Sequence, residues 1–275
     1  MGNDLSMGAA WMNGKVLPIS QAMIPVNDWG LVHSDITYDV VPVIDGAFFR
    51  FGEYLARFLS SMENLHLDPG MSKRDIQAAL HQMVGKSSLR DSYVAMVCSR
   101  GKPKIAGSRD PRDCENHFFA WCVPYVHIIK PEIVKQGATA WIAQNAYRIP
   151  ENSVNPLVKN YHWGDFTQAI FEAKDKDYET VILLDYDGNV TEGPGFNVFA
   201  VKDKVLITPD RGVLAGVSRK TVLEMAEHLG INTSVRSLSF EELLEADEVF
   251  LSSSGGGVIP IIRVNETIFG NGASG

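Results

Sequence analysis

Lys159 is the first residue whose surroundings suggest chemistry. It lies in an uncharged and partly apolar stretch, Asn155-Pro-Leu-Val-Lys-Asn-Tyr-His-Trp-Gly164. Burial would lower the pKa of its ammonium group toward the range in which a neutral amine can attack a carbonyl carbon. Most lysines, however, are exposed with the charged end in water. The residues alone therefore favour an ordinary loop lysine, with a nucleophilic amine as the alternative.

Glu192 is a second candidate, because it follows a turn at Asp187-Gly188 and precedes Gly193-Pro-Gly195. Backbone without a side chain can approach a ligand closely at such glycines. A carboxylate there could hold a protonated ring nitrogen. A polar residue on the solvated face of a strand fits the same pattern, and both interpretations stay open.

Two further segments could bind an anion. Gly212-Val-Leu-Ala-Gly-Val-Ser-Arg-Lys220 opens a predicted helix over residues 218–229, and free backbone N–H groups at a helix start suit a phosphate. Ser218 is the predicted N-cap of that helix and a possible phosphate donor, although plain serine caps are far more common. The second segment, Ser252-Ser-Ser-Gly-Gly-Gly257, lies between two apolar strands and could form an anion-binding nest.

Other chemistries find less support in the sequence. It contains neither an HExxH motif nor paired cysteine ligands, so we predict no metal site. A GxSxG nucleophile elbow is also absent, which argues against a serine hydrolase. His33, His127 and His162 are dispersed and are interpreted from the residues alone as structural histidines.

Composition describes an ordinary globular chain of 275 residues, 45% of them hydrophobic. The formal net charge of −8 argues against a nucleic-acid partner, since no basic stripe is present to neutralise phosphates. No apolar run approaches a membrane span, and the first residues lack the basic and apolar regions of a secretory signal. Three cysteines without CxxC spacing suit a reducing compartment, so we expect a cytoplasmic protein.

The predicted elements suggest an α+β fold with two parts. Strands around two amphipathic helices fill the first part, including a hairpin whose second strand spans residues 47–50. Ser72 is the predicted N-cap of the second helix. We predict domains at residues 1–123 and 133–275, joined by a linker at 124–132 in which Lys130-Pro131 breaks any regular element.

Several motifs occur in a specific order along the chain. They are His33-Ser-Asp-Ile-Thr-Tyr-Asp39, Phe48-Phe-Arg-Phe51 with Arg57, Arg100-Gly101, Val158-Lys-Asn160 with Trp163-Gly-Asp165, Thr191-Glu-Gly193 with Phe196-Asn197, Pro209-Asp-Arg-Gly-Val-Leu-Ala-Gly-Val-Ser-Arg-Lys220, and residues 253–260. In this order and spacing the sequence resembles the fold type IV pyridoxal phosphate (PLP) transaminases. That family includes branched-chain, D-amino-acid and (R)-selective amine transaminases, and the resemblance covers nearly the whole chain.

The resemblance implies a small N-terminal α/β-sandwich domain, a larger C-terminal pseudo-barrel domain, and a homodimer with the active site near the interface. It implies that Lys159 forms the Schiff base with PLP and moves the substrate proton. Glu192 is similar to the carboxylate that keeps the pyridine nitrogen protonated. The complete set of implied cofactor-binding residues is Arg57, Lys159, Glu192, Phe196, Asn197, Gly216, Val217, Ser218, Ser253 and Ser254.

The segment from His33 to Tyr38 resembles (R)-amine transaminases more than the other two subgroups. Branched-chain enzymes usually carry an arginine where this chain has Ala95. The arginine that amine transaminases use to grip the keto-acid carboxylate is replaced by Ala106, with Arg109 nearby as a substitute. The implied substrate-binding residues are His33, Tyr38, Val40, Tyr93, Ala95, Arg109, Trp163, Ser253 and Gly255.

We therefore expect a transaminase that moves the amino group of an (R)-amine or D-amino acid to a 2-oxo acid in two half-reactions. The alternatives are a branched-chain L-amino-acid transaminase, a PLP lyase of the aminodeoxychorismate lyase type, and a domain that has lost PLP. The family usually continues with a further helix after a glycine-rich turn, so we expect that helix to be missing from this sequence, which ends at Gly275.

Overall fold

The computed structural model describes residues 7–273. The first six residues, on which the absence of a secretory signal was judged, and the last two lie outside this range. The chain forms two compact units, the first from residues 1–126 and 158–162 and the second from residues 127–157 and 163–275. The segment 158–162 therefore lies in the first unit, and the predicted domain boundaries stay a proposal.

The described residues of the first unit form one sheet and three α-helices. Its helices are α1 (Trp29–Val32), α2 (Phe51–Asn64) and α3 (Lys73–Ser87). Its strands are β1 (Ala9–Met12), β2 (Lys15–Pro18), β3 (Ile36–Ile44), β4 (Ala47–Phe48), β5 (Ser92–Ser99) and β6 (His117–Pro124). The sheet order is β2-β1-β6-β5-β3-β4, and every neighbouring pair is antiparallel.

Alternation along β3, β5 and β6 gives this sheet two different faces. One face packs against α2 and α3, as the ring contact between Phe58 of α2 and Phe118 of β6 illustrates. The helix α3 begins at a capping box in which Ser72 and Asp75 each satisfy a backbone N–H of the other, as predicted for Ser72. The opposite face carries aromatic and aliphatic side chains and positions part of the candidate site.

The second unit is built on a mixed sheet with helices packed against it. Its helices are α4 (Pro131–Gln136), α5 (Gly164–Lys174), α6 (Val217–His228) and α7 (Phe240–Leu244). Its strands are β7 (Ala138–Ile142), β8 (Thr180–Ile182), β9 (Glu192–Gly193), β10 (Phe196–Lys202), β11 (Val205–Thr208), β12 (Asn232–Val235), β13 (Glu248–Ser253), β14 (Gly257–Val264) and β15 (Thr267–Ile268).

The main path of this sheet is β12-β11-β10-β13-β14-β7-β8, with β9 paired to β10 and β15 to β14. Three of its pairings, β11 with β12, β14 with β7 and β7 with β8, are parallel. Helix α6 covers one sheet face, where Ala226 packs with Phe199 and Leu206. The predicted α+β fold class is confirmed in both units.

Three local predictions are wrong. The strand predicted over residues 47–50 ends at Phe48, because Arg50 adopts a left-handed conformation (φ 47°) and leads directly into α2. Lys130-Pro131 does not break regular structure but begins α4, since proline suits the first position of a helix. The N-cap of α6 is Gly216 rather than Ser218, which lies inside the first turn.

None of the described helices is both long and apolar enough to cross a membrane.

Candidate active site

The backbone of Lys159 is fixed by β3 and α2 within the first unit. Its carbonyl oxygen accepts hydrogen bonds from the Thr37 hydroxyl (2.6 Å) and the Tyr38 N–H (3.4 Å). Its own N–H donates to Oγ of Ser61 (3.2 Å), a residue of α2. The next residue, Asn160, forms a bridge with Thr37. Although the sequence suggests a loop at Lys159, its backbone is held along the edge of β3 by these hydrogen bonds.

The side chain of Lys159 is half-buried against Tyr38. Its Nζ atom donates to Oη of Tyr38 (3.3 Å) and lies 4.3 Å from the centre of the tyrosine ring. The Tyr161 ring stacks on Tyr38 at 4.1 Å between centroids, with 10° between the planes. The amine is therefore held at a defined place beside a phenol, not in bulk water.

Tyr38, which contacts this amine, belongs to an apolar face of the first unit. Four predicted substrate residues lie together on it, because Val40 pairs with Ala95 across β3 and β5 and the alternate positions point the same way. The members of the apolar face are Ile36, Tyr38, Val40, Tyr93, Ala95, Val97, Phe119 and Trp121. Burial, with Tyr38 and Asp39 nearby, raises the pKa of Tyr93, so its hydroxyl stays protonated.

Phe119, Trp121 and Tyr161 were not predicted as site residues. The strand sequence His117-Phe-Phe-Ala-Trp121 offered a signal for Phe119 and Trp121, because these alternate residues share one strand face and lie opposite Val97 and Ala95. Tyr161 offered no comparable signal because segment 158–162 joins the first unit across a long sequence separation.

Arg57 of α2 makes a buried, two-point ion pair with Asp39 of β3. Its Nε donates to Oδ2 (2.8 Å) and its Nη2 to Oδ1 (2.7 Å), while the Asp39 side chain is fully buried. Burial alone would lower the pKa of the Arg57 guanidinium, but the adjacent Asp39 carboxylate more than offsets this and raises it. Arg57 therefore has a structural role, neutralising the buried Asp39 carboxylate, in addition to the predicted role in binding phosphate.

We predict that Arg57→Met lowers the free energy of unfolding by about 3–5 kcal/mol, because it leaves the Asp39 carboxylate buried without its cation. Urea unfolding measures the effect, and Arg57→Met combined with Asp39→Asn should recover much of the loss. Arg236→Met is the matched control, since it breaks the more exposed pair with Glu242. If both arginine variants lost the same free energy of unfolding, the burial of the Asp39 carboxylate would not explain the effect of Arg57→Met.

Two predicted substrate residues, His33 and Arg109, are not members of the apolar face. The His33 side chain is exposed at the end of α1 and its ring packs edge-on against Trp29 at 4.6 Å. Arg109 is exposed in the loop between β5 and β6, three residues after Ala106. Their assignment to a substrate stays a prediction.

In the second unit Glu192 is buried in β9 with only 5% of its surface exposed. Its carboxylate accepts hydrogen bonds from the Leu214 N–H (2.8 Å) and from Nε of Arg148 (3.2 Å). Asn197, directly opposite Glu192 in the β9–β10 register, donates through Nδ2 to the Leu214 carbonyl (3.0 Å). The two predicted cofactor residues therefore fix the same loop before α6.

Arg148 links Glu192 to a second carboxylate. Its Nη1 donates to Oδ2 of Asp165 at the start of α5 (2.6 Å), and its guanidinium lies 4.3 Å from the ring centre of Phe166. Arg148 is itself 8% exposed. Although Trp163-Gly-Asp165 was noted as a motif, no spacing in the sequence indicated that Asp165 or Arg148 joins Glu192.

The start of α6 suits a phosphate. Gly216, the N-cap, provides no capping side chain, and the first turn contains no acidic residue. The N–H groups at this end, including those of Val217 and Ser218, carry the positive end of the helix dipole. A Cβ at position 216 would lie 2.1 Å from Oδ1 of Asn197, so only glycine permits this approach. The donor set thus fits a dianion.

The remaining predicted cofactor residues have structural contacts in the second unit. The Ser253 hydroxyl donates to the Gly195 carbonyl (2.8 Å) and accepts from the Gly255 N–H (3.0 Å), so it links its own turn to the turn between β9 and β10. Ser254, which follows, is half-buried and also has an interaction partner. Phe196 belongs to the hydrophobic core beneath the sheet.

Trp163 precedes α5 and packs edge-on against Phe166, with 5.5 Å between ring centroids. This contact places it in the small hydrophobic cluster beneath α5. Its assignment to a substrate stays a prediction.

Comparison with known proteins identifies the family of this chain. Residues 37–264 match the family described as amino-transferase class IV. A putative branched-chain-amino-acid aminotransferase of Methanocaldococcus jannaschii is 27% identical over 95% of this chain and 89% of its own length. The D-alanine aminotransferase of Bacillus licheniformis is 27% identical over 96% of this chain and 90% of its own length.

The fold agrees as well. The crystal structure of the Escherichia coli branched-chain amino acid aminotransferase superposes with a TM-score of 0.92 at 25% identity, covering 98% of this chain and 90% of that one. The branched-chain aminotransferase of Thermoproteus uzoniensis, solved with norvaline, gives a TM-score of 0.87 at 26% identity, covering 96% and 89%. The chain therefore belongs to the class IV aminotransferases and is an enzyme that uses PLP.

Proposed function

We propose that this aminotransferase takes its amino group from an apolar (R)-amine or D-amino acid and passes it to a 2-oxo acid. The observation that carries the proposal is the apolar face beside Lys159, all of whose members are uncharged. An amine bearing an aryl or alkyl group would bury that group against these side chains, which is favourable at roughly 25 cal/mol per Å². The D-alanine aminotransferase among the relatives supports the same stereochemistry.

PLP, when bound, supplies an electrophilic carbon for the amine and a ring that withdraws electrons from the bond being broken. We assign Lys159 to hold it covalently through Nζ, and afterwards to move the proton with the freed amine. The Tyr38 hydroxyl, 3.3 Å from Nζ, orients this amine. The Thr37 and Ser61 hydrogen bonds fix the backbone of Lys159, so that little freedom is lost when the reaction begins.

Glu192 is assigned to accept a hydrogen bond from the ring nitrogen and to keep that nitrogen protonated. The carboxylate is buried and held in place by Leu214 and Arg148, so its charge acts through little intervening water. The start of α6, with Val217 and Ser218, is assigned to the phosphate group.

A branched-chain L-amino acid is the second candidate donor. Branched-chain aminotransferases predominate among the relatives with which this chain was compared, and Val40 and Val97 of the apolar face would also suit an aliphatic side chain. Ala95 counts against this candidate, because branched-chain enzymes usually carry an arginine at the corresponding place.

We also propose that the enzyme acts in the cytoplasm as a homodimer. Large apolar side chains near α1 are strongly exposed, including Met23 (76%), Val26 (85%) and Leu31 (58%). Large apolar side chains that are exposed in the single chain are candidates for burial in a protein interface. Sedimentation velocity tests the stoichiometry directly.

The donor is tested by presenting (R)-1-phenylethylamine, its (S)-enantiomer, D-alanine and L-leucine in parallel to the PLP-loaded enzyme, each with 2-oxoglutarate as acceptor. We expect keto product from (R)-1-phenylethylamine or D-alanine and none from the (S)-amine. Turnover of L-leucine, without turnover of (R)-1-phenylethylamine or D-alanine, would transfer the assignment to the branched-chain class.

A further inference from the structure

Arg148 and Asp165, which are not among the predicted site residues, form a cluster of charged side chains with Glu192. The Arg148 guanidinium bridges two carboxylates, contacting Asp165 at 2.6 Å and Glu192 at 3.2 Å. The side chains of Arg148, Asp165 and Glu192 are only 9%, 7% and 7% exposed. These three residues, the charge cluster, all belong to the second unit.

The charge cluster contains two anions and one cation, so its formal charge is −1. Arg219 on α6 interacts electrostatically with both Glu192 and Asp210, and Arg219 and Asp210 together add one charge of each sign. A buried excess of negative charge is costly unless a cation approaches it. A protonated ring nitrogen is such a cation.

Asp165 is the residue that produces this excess. With Asp165 in place, Arg148 is shared between two carboxylates, and its shorter contact is the one to Asp165. Without it, Arg148 would pair with Glu192 alone and neutralise it. The Arg148 contact to the Phe166 ring holds the guanidinium between the two carboxylates.

We propose that Asp165 and Arg148 are positioning residues that set the charge at Glu192 and thereby keep the ring nitrogen of PLP protonated. This inference rests on the proposed role of Glu192. In this proposal Asp165 of the motif Trp163-Gly-Asp165 acts on the charge of Glu192 as well as in the first turn of α5.

A purely structural role for Asp165 is the competing explanation. Its carboxylate also accepts from the Ile149 N–H (3.0 Å) and the Phe166 N–H (2.8 Å), and an acidic residue in a first helical turn is favourable by itself. A structural role predicts lower stability in a variant but no change in the protonation of the ring nitrogen. That difference separates the two explanations.

The experiment uses the enzyme loaded with PLP that carries ¹⁵N in its ring. The ¹⁵N resonance reports protonation of that nitrogen, and equilibrium dialysis gives the dissociation constant of PLP. The variants are Asp165→Asn, the double variant Arg148→Gln with Asp165→Asn, and Glu192→Gln. Glu242→Gln is the matched control, because Glu242 also pairs with an arginine in this unit but lies outside the charge cluster.

We expect Asp165→Asn to move the resonance toward the neutral pyridine value and to weaken PLP binding on the order of tenfold. The double variant restores the formal charge of −1 at Glu192, so its resonance and its dissociation constant should return toward the wild-type values. Asp165→Ser, which can still accept a backbone hydrogen bond at a helix start, repeats the test if the asparagine variant folds poorly.

Three results would overturn the inference. An unchanged ¹⁵N resonance in both Asp165 variants, with a shifted resonance in Glu192→Gln, would make Asp165 merely structural. A double variant that binds PLP more weakly than Asp165→Asn would contradict the charge argument. If Glu192→Gln itself leaves the resonance unchanged, the proposed role of Glu192 fails, and the inference fails with it.

Discussion

Replacing Lys159 with methionine is expected to lower kcat for amino-group transfer by about 10⁴-fold, the upper range for loss of a proton-transferring group. Methionine is similar in length to lysine. Its sulfur can keep a favourable contact with the Tyr38 ring, whose centre lies 4.3 Å from Nζ of Lys159 in the wild-type enzyme. It has no amine to hold the cofactor or to carry the proton. Steady-state rates with the preferred donor measure the loss.

Lys202→Met is the matched control for this substitution. Lys202 also has a polar partner, Glu245, but the pair is largely exposed and lies at the far end of β10. Its loss should change kcat by less than about twofold. A Lys159→Met enzyme that retains a tenth of the wild-type rate would contradict the assignment of Lys159.

Replacing Glu192 with glutamine is expected to lower kcat by roughly 10²–10³-fold, the usual effect of removing one preorganised electrostatic contact. Glutamine keeps the size of the side chain and can still accept the Leu214 N–H, which is 2.8 Å from the carboxylate. What is lost is the negative charge that holds a proton on the ring nitrogen. Measuring kcat and KM separately should show the loss mainly in kcat.

A structural explanation of Glu192 makes a different prediction. If the carboxylate only anchors the loop before α6, the glutamine variant should lose thermal stability and retain kcat within about threefold. Glu242→Gln again serves as the control, since it removes a carboxylate paired with Arg236 elsewhere in the same unit.

Local patterns predicted much of the fold. Helical spacing predicted two helices in the first unit, and the predicted Ser72 cap located the start of α3. Strand β12 was missed because its residues are mostly exposed and show no alternation. The N-cap of α6 was predicted two residues too late, because serine is preferred over glycine at this position. The close approach of position 216 to Asn197, however, requires the glycine.

The candidate site was predictable where a motif contains the residue and not where distant segments meet. Lys159 and Glu192 lie in motifs, whereas Arg148 reaches Glu192 across 44 positions in the sequence. Residues alone favoured an exposed lysine at position 159, and the hydrogen bond to Tyr38 across 121 positions is invisible to any local pattern. Pairings of this kind are set by tertiary packing, which periodicity and spacing do not encode.

The most direct test of the account asks which residue carries the cofactor. The PLP-loaded enzyme is reduced with borohydride, digested and analysed by mass spectrometry, so that a lysine bonded to PLP is locked and located. We predict a stoichiometric label on the peptide that contains Lys159, and no label after Lys159→Met. A label on any other lysine, or an unlabelled peptide from fully loaded enzyme, would contradict the central assignment.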